Sequence, residues 1–341
     1  MEFALTLLQW FRENGRDLPW RQTRAPYAIW LSEIILQQTQ VKQGWDYWER
    51  FMHRWPTVEA LAAATEDEVL REWQGLGYYS RARNLHYAAR QIVALGHFPD
   101  TLDEIRKLKG VGDYTAAAIG SIAFGLPAAV VDGNVYRVLA RHFGIDTPIN
   151  TTEGKKTFTA LAQSLLPTPE STDISPSSFL LPPSSEYNQA IMDFGAIQCT
   201  PSSPNCLSCP LQESCSAFRS NRVSDLPVKQ NTLKVRERHL IYIYIRCNGE
   251  TAIHRRGPGD IWQGLYEPWL VSSPSAVPAG AVLRRQNVKH VRTHRILLAD
   301  FYLLETPEKP SLPPDYIWIK ETELDSYAVP RLIDKFLQDF R

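Results

Sequence analysis

Four of the five cysteines in this 341-residue chain, Cys199, Cys206, Cys209 and Cys215, fall in one short stretch at the spacing C-x6-C-x2-C-x5-C, with Cys247 alone elsewhere. Thiolates so placed can hold a metal ion or a cluster. Iron-sulfur clusters take four cysteines, whereas zinc sites mostly use paired C-x2-4-C knuckles. A single short C-x2-C with unequal flanks therefore favours a 4Fe-4S cluster over zinc. Two disulfides are the remaining reading. No signal peptide precedes the helically spaced apolar residues of Met1 to Trp10, so a reducing compartment is expected, which argues against them.

Two carboxylates stand in apolar surroundings. Glu33 lies in IWLSEIILQQTQ beside Trp30, Ile34, Ile35 and Leu36. Partial burial of that face would raise its pKa and keep the acid form available near neutrality; a solvated helix face is the alternative. Asp132 follows Val130 and Val131 and precedes Gly133 and Asn134, the setting of a helix N-cap. A protonated carboxyl paired with an ionised one can break an N-glycosidic bond. The acid protonates the leaving base while the carboxylate stabilises positive charge developing on the sugar. Sequence separation does not say whether the two groups meet.

The segment LKGVGDYTAAAI places Gly110, Val111 and Gly112 between a helical Leu102 to Leu108 and an Ala-rich helix. Two glycines allow a tight turn whose N–H groups point outward beside a helix N-terminus, which suits a phosphate; an ordinary turn between helices is the plainer reading. Lys107 and Lys109 precede the turn and serve phosphate contact or solvation. The following VDGNVYRV, Val131 to Val138, strengthens the phosphate reading.

These residues need a scaffold. Apolar residues recur at three-to-four spacing in Phe3 to Phe11, Ala28 to Leu36, Val58 to Leu70, Ala82 to Leu95 and Thr115 to Phe124, which predicts a helical region to about Ala217. Leu166 to Glu186 crowds Pro, Ser and Thr and reads as an exposed insertion, about 167–186, that cannot continue a helix. Beyond Arg222 the pattern turns to strands at Leu240 to Arg246, Ala281 to Leu283, Ile296 to Leu304 and Tyr316 to Ile319. The expected organisation is a helical domain over 1–219, a linker over 220–235 and a mixed α+β domain over 236–341. No apolar run approaches the roughly 18 residues needed to span a bilayer. A soluble, cytoplasmic monomer is expected, nucleoid-associated in a bacterium. The formal net charge is zero, which neither predicts nor excludes a polyanionic partner, since a local basic face is what counts.

Taken together, SEIILQQTQV, GLGYYSRARNL, LKGVGDYTAAAI, VDGNVYRV and NQAIMDFGAIQC with the four-cysteine loop resemble the adenine DNA glycosylase family, in the helix-hairpin-helix glycosylase superfamily. The motifs run in order from about Leu18 to Cys215. The resemblance implies a mostly α helix-hairpin-helix domain whose loop carries a 4Fe-4S cluster. It casts Glu33 as the acid that protonates adenine at N7 and Asp132 as the carboxylate facing the anomeric carbon, through an oxocarbenium ion or a transient covalent adduct. Asn134 becomes the hydrogen-bonding support of Asp132 and Tyr114 a polar contact in the pocket. By the same resemblance Arg21 would touch the flipped adenine, Asp193 would stand at a pocket position, and Gln38 and Tyr78 would wedge into the base stack, a device needed because an extruded base leaves a gap. An alternative for Tyr78 is an aromatic lid after Gly77. Endonuclease III-type relatives carry a lysine where Tyr114 stands. Tyrosine cannot form an imine, so hydrolysis without efficient strand cleavage is expected.

The second region also resembles this family. IWQGLYEP, Ile261 to Pro268, is similar to a stretch in its Nudix-like domain that recognises 8-oxoguanine, and no catalytic Nudix box occurs. The family's Phe-Ser-His recognition loop is best matched by Arg292, Thr293 and His294, with a cation in place of the apolar wedge. The implied partner is double-stranded DNA with an A:8-oxoguanine or A:G mispair. The rivals are an endonuclease III-like enzyme and a DNA-binding module that has lost catalysis; the presence of both carboxylates with their supporting residues argues against the second.

Overall fold

The computed structural model describes residues 2–167, 182–230, 236–292 and 295–338. It divides into two compact units, Met1–Glu59 with Ala88–Asn231, and Ala60–Tyr87 with Thr232–Arg341.

In chain order the helices are α1 (Glu2–Asn14), α2 (Pro26–Leu36), α3 (Val41–Arg54), α4 (Val58–Ala63), α5 (Glu66–Glu72), α6 (Ser80–Leu95), α7 (Leu102–Lys107), α8 (Asp113–Phe124), α9 (Gly133–Phe143), α10 (Thr152–Ser164), α11 (Pro183–Asp193) and α12 (Ser216–Arg219). The spacing over Val58 to Leu70 predicts one helix, but Thr65 divides it. Its hydroxyl accepts from Glu68 N at 3.2 Å while the Glu68 carboxylate accepts from Thr65 N at 2.9 Å, a capping box that starts α5 afresh. In the first unit α2 packs on α8 and α1 on α11. Both α2 and α8 are buried along most of their length, from Tyr27 to Ile35 and from Thr115 to Ala123. Leu7, Ala118, Leu139, Phe158 and Tyr187 form the core between them, none more than 1% exposed.

Two expectations for this unit need correction. The end of the 167–186 insertion is ordered: Pro183 to Glu186 open α11, where proline at the first helical position removes an N–H that has no acceptor anyway, and Ser185 and Glu186 are buried. Residues 168–181 of that stretch lie outside the described residues. Much of the expected 220–235 linker is docked: Leu226 is buried, its carbonyl accepts from Arg141 Nε at 3.0 Å, and Ile149 N donates to Val228 O at 3.0 Å.

The second unit holds β1 (Arg236–Arg246), β2 (Glu250–Arg255), β3 (Tyr266–Glu267), β4 (Trp269–Val271), β5 (Val282–Arg292), β6 (Arg295–Glu305), β7 (Tyr316–Lys320) and α13 (Arg331–Leu337). They form two sheets, ordered β4-β1-β6-β5 and β3-β2-β7. β1 pairs parallel to β6, with Tyr242 opposite Phe301. Leu240 to Ile245 are buried without alternation, because side chains on both faces are covered; α13 covers one, Phe336 stacking on Phe301 at 4.3 Å. β5 is far longer than the expected three residues. It is a polar sheet edge, so no apolar alternation announces it. The expected domain boundaries also differ from the observed division, since residues 60–87 group with the C-terminal strands. Arg255 of β2 pairs with Glu66 at 3.0 Å and Asp67 at 2.8 Å, and Leu70 packs 3.2 Å from where a Cβ on Gly264 would stand.

α11 runs into a π turn, Phe194–Gln198, that passes close to the start of α9. A methyl on Gly195 would lie 2.6 Å from Asn134 Cβ and 3.0 Å from its carbonyl oxygen. Gly195→Ala is therefore expected to destabilise the protein by about 1–3 kcal/mol through overpacking, read as a lower denaturant midpoint at unchanged slope; an unchanged midpoint would show that the two segments can separate freely.

Candidate functional site

A cleft of about 1110 Å³ in the first unit brings together residues from α2, α8, α9, α11 and the loops beside them. Glu33, Tyr114, Asp132, Asn134, Arg21 and Gln38 all line it.

Glu33 projects from the middle of α2, where every residue from Tyr27 to Ile35 is buried. It is itself 7% exposed, and Tyr114 Oη donates to its Oε2 at 3.1 Å. Burial drives its pKa up to about 7, the Asp132 charge adding to the rise and the Tyr114 hydrogen bond and Arg21 opposing it. The same burial, with the Glu33 charge beside it, holds the Tyr114 phenol protonated.

Asp132 caps α9. Its Oδ1 accepts from Asn134 N at 2.9 Å and Val135 N at 2.8 Å, and its Oδ2 from Asn134 Nδ2 at 2.8 Å. Burial raises its pKa, while these three bonds and Arg137 draw it down. The two carboxyls thus differ: Glu33 receives one phenolic hydrogen bond, whereas Asp132 receives three N–H donors at a helix N-terminus, which favour its anion and offset part of the rise that burial imposes. The structure makes Asp132 the N-cap of α9 and leaves it on the lining of the cleft.

Asn134 is oriented in turn by Arg137, whose Nη2 donates to Asn134 Oδ1 at 2.9 Å and to Gly195 O at 2.5 Å, and whose Nε donates to Cys199 O at 2.7 Å. Arg137 and Gln189, which also line the cleft, escaped the sequence reading. A signal existed for Arg137, one helical turn after Asn134 in VDGNVYRV.

Asp193 is corrected. It is fully buried and not among the cleft-lining residues. Burial alone would raise its carboxyl, but hydrogen bonds from Arg21 and Arg16 outweigh this and hold it below the usual range. Arg21 Nη1 and Nη2 each reach it at 2.8 Å, and Arg16 N and Nε at 2.9 Å. Asp193 therefore acts through the two arginines, both of which line the cleft. Nothing in the sequence pattern singled out Arg16.

In the hairpin between α7 and α8, Gly110 takes φ +83°, and Gly112 caps α8 with no side chain to occupy the first-turn N–H groups. Val111 is buried, so the turn offers backbone, not its side chain, to a ligand. Of the three, Gly112 lines the cleft. Gln38 is exposed in the left-handed region at φ +57°. Tyr78 belongs to the second unit, where it is 40% exposed with φ +46°. Thr293 and His294 lie outside the described residues.

Cys199, Cys206, Cys209 and Cys215 line one cavity together with Arg141, His142, Phe194 and Leu211, and none is in a disulfide. Arg141 Nη1 donates to Cys199 Sγ at 3.4 Å, and Cys215 Sγ donates to Arg141 O at 3.5 Å. Burial pushes the Cys209 thiol up to about 11, with neighbouring cysteines adding to the rise, and raises Cys206 for the same reasons. Four free thiols around one cavity are the donor set that a cluster or a metal ion would use. Among the described residues no three His, Cys, Asp or Glu side chains gather tightly enough for a single metal ion.

Residues 31–165 match the HhH-GPD superfamily of base excision DNA repair proteins, and 241–339 match the NUDIX domain. The adenine DNA glycosylase of Buchnera aphidicola subsp. Acyrthosiphon pisum is 32% identical, covering 99% of this chain and 97% of its own. That of Rattus norvegicus is 42% identical over 66% of this chain and 44% of its own, and this chain spans less than half the length of the mammalian relatives it matches. Among solved structures, a thermostable thymine-DNA glycosylase aligns at 31% identity and TM-score 0.56, over 64% of this chain and 96% of that one. A trapped endonuclease III–DNA intermediate shares the fold at 23% identity and TM-score 0.53, over 64% and 94% of the two chains. With a relative alike from end to end and both domain families matched in order, the chain belongs to the adenine DNA glycosylase family.

Proposed function

We propose that the protein is a monofunctional DNA glycosylase that extrudes adenine from a mispair with 8-oxoguanine or guanine and hydrolyses its N-glycosidic bond. The observation that supports this most is the pairing of Glu33 and Asp132 on one cleft, the first with a single phenolic donor and the second with three N–H donors. Glu33 gives its proton to adenine N7, which lets the C1′–N9 electron pair leave with the base. The Asp132 carboxylate faces the cationic sugar, and water completes the hydrolysis. None of the described cleft-lining residues is a lysine, so no amine is placed to form the imine that strand cleavage requires. The α7–α8 hairpin backbone takes a DNA phosphate, and Gln38 and Tyr78 fill the space left in the stack. The C-terminal unit contributes recognition of 8-oxoguanine, and Cys199, Cys206, Cys209 and Cys215 hold a 4Fe-4S cluster, which would tie their loop together.

Three outcomes follow. Glu33→Gln keeps the shape and loses the proton, so release of adenine from an A:8-oxoguanine duplex should fall by about 10²–10⁴-fold while mispair binding persists; release at the wild-type rate removes Glu33 from this role.

The pH profile follows from the raised pKa. The reactive state has Glu33 protonated, populated below about 7, and Asp132 ionised. The single-turnover rate should therefore fall about tenfold per pH unit above about 7, and fall again on the acid side where Asp132, whose pKa burial raises, takes up a proton. A rate that rises through neutrality would mean that Glu33 works as a base.

Freshly purified protein should be brown with a broad visible absorbance, and Cys209→Ser should bleach it. Colourless protein with bound zinc would replace the cluster by a metal ion.

A further inference from the structure

Unusual backbone is concentrated between Trp73 and Arg81. Gly75, Gly77 and Tyr78 all have positive φ, at 102°, 72° and 46°. Glycine adopts such angles freely. A tyrosine held there is strained by about 1 kcal/mol or more and stays only where its surroundings enforce the conformation. Tyr78 is too exposed for burial of its own ring to do so.

The enforcement comes from beneath. Arg81, 8% exposed, donates Nη2 to the carbonyl oxygens of Leu76 and Gly77, both at 3.3 Å. Its guanidinium lies 5.1 Å from the Trp73 ring centroid and 5.7 Å from that of Tyr78. Trp73 Nε1 donates to the same Gly77 carbonyl at 3.0 Å, and Tyr79 Oη donates to Val329 O at 3.4 Å, pinning the other side of the segment. Burial pulls Arg81 down only to about 10, so it remains cationic at neutral pH. One nitrogen serves both carbonyls while the flat guanidinium lies against two rings, and a lysine ammonium could supply the first contact but not the planar stacking of the second.

We propose that Arg81 is a positioning residue that sets Tyr78 in its left-handed, outward conformation before DNA arrives, so that the wedge is already formed when a base is extruded. The inference rests on the reading of Tyr78 as a wedge. It places Arg81 in the extrusion step and outside the bond-breaking chemistry.

The experiment compares single-turnover adenine release by wild type, Arg81→Lys, Arg81→Ala, Tyr78→Ala and the Tyr78→Ala/Arg81→Lys pair, with thermal melts for each. Two duplexes are used: adenine opposite 8-oxoguanine, and adenine opposite an abasic analogue that offers no base for a wedge to press on. Arg81→Lys and Tyr78→Ala should each slow release from the first duplex by about tenfold, with the pair no slower than Tyr78→Ala and each effect smaller on the second duplex. The pH profile should not move. Arg81→Lys slowing both duplexes equally, adding to Tyr78→Ala, or having no effect while Tyr78→Ala is slow would overturn the role of Arg81 and leave the wedge standing. Tyr78→Ala at the wild-type rate would instead overturn the wedge reading. Should Arg81→Ala not fold, Arg81→Lys carries the comparison; loss of folding in both overturns the proposal, since a positioning residue leaves the fold intact.

Discussion

A carboxyl group in the middle of a buried helix, set on the wall of the cleft, is the constraint around which the first unit's polar groups are arranged. Glu33 cannot ionise cheaply on α2, because the water that would solvate its anion is excluded by buried neighbours from Tyr27 to Ile35. The surrounding groups respect that constraint. The charge of Asp132 discourages a second anion, and the Tyr114 donor, being neutral, offsets only part of the rise. The nearby cations are engaged elsewhere: Arg21 and Arg16 share the buried Asp193, and Arg137 faces Asn134 and backbone carbonyls. A cation set directly on Glu33 would lower its pKa and remove its proton at neutrality.

The opposite solution is built at Asp132 from elements close in sequence. A helix start, an amide two residues on and a guanidinium one turn later give the anion its partners without removing it from the cleft. Arg137 also ties this arrangement to the cysteine loop through the carbonyls of Gly195 and Cys199. The geometry of Asn134 and the path of the chain into Cys199 are therefore set by one side chain. The close approach at Gly195 is the steric counterpart of that link.

Much of this was legible before any coordinates. The helical region, the later turn to strands, the N-cap at Asp132 and the apolar setting of Glu33 are local properties of 3.6- and 2-residue patterns and of cap chemistry. The errors arose where packing overrode pattern. A Pro-Ser-rich stretch reads as loop, yet its end begins α11 because proline suits a first helical turn. Residues 220–230 read as linker, yet Leu226 is buried against the helices. β5 hid because an edge strand need not alternate. Residues 60–87 carry nothing in their composition to associate them with strands far along the chain; their ion pairs with Arg255 do.

The sequence by itself determined which residue types are present and the local elements that carry them: two carboxylates in apolar or capping positions, a glycine turn, four cysteines in one loop. Only the tertiary structure decided that Glu33 and Asp132 share a cleft, that Asp193 is an anchor behind two arginines, and that Arg81 lies beneath Tyr78. The reason is that hydrogen bonding within a helix turn reaches three or four residues, whereas burial, and with it the pKa of a carboxyl or the freedom of an arginine, is set by segments brought together from distant parts of the chain.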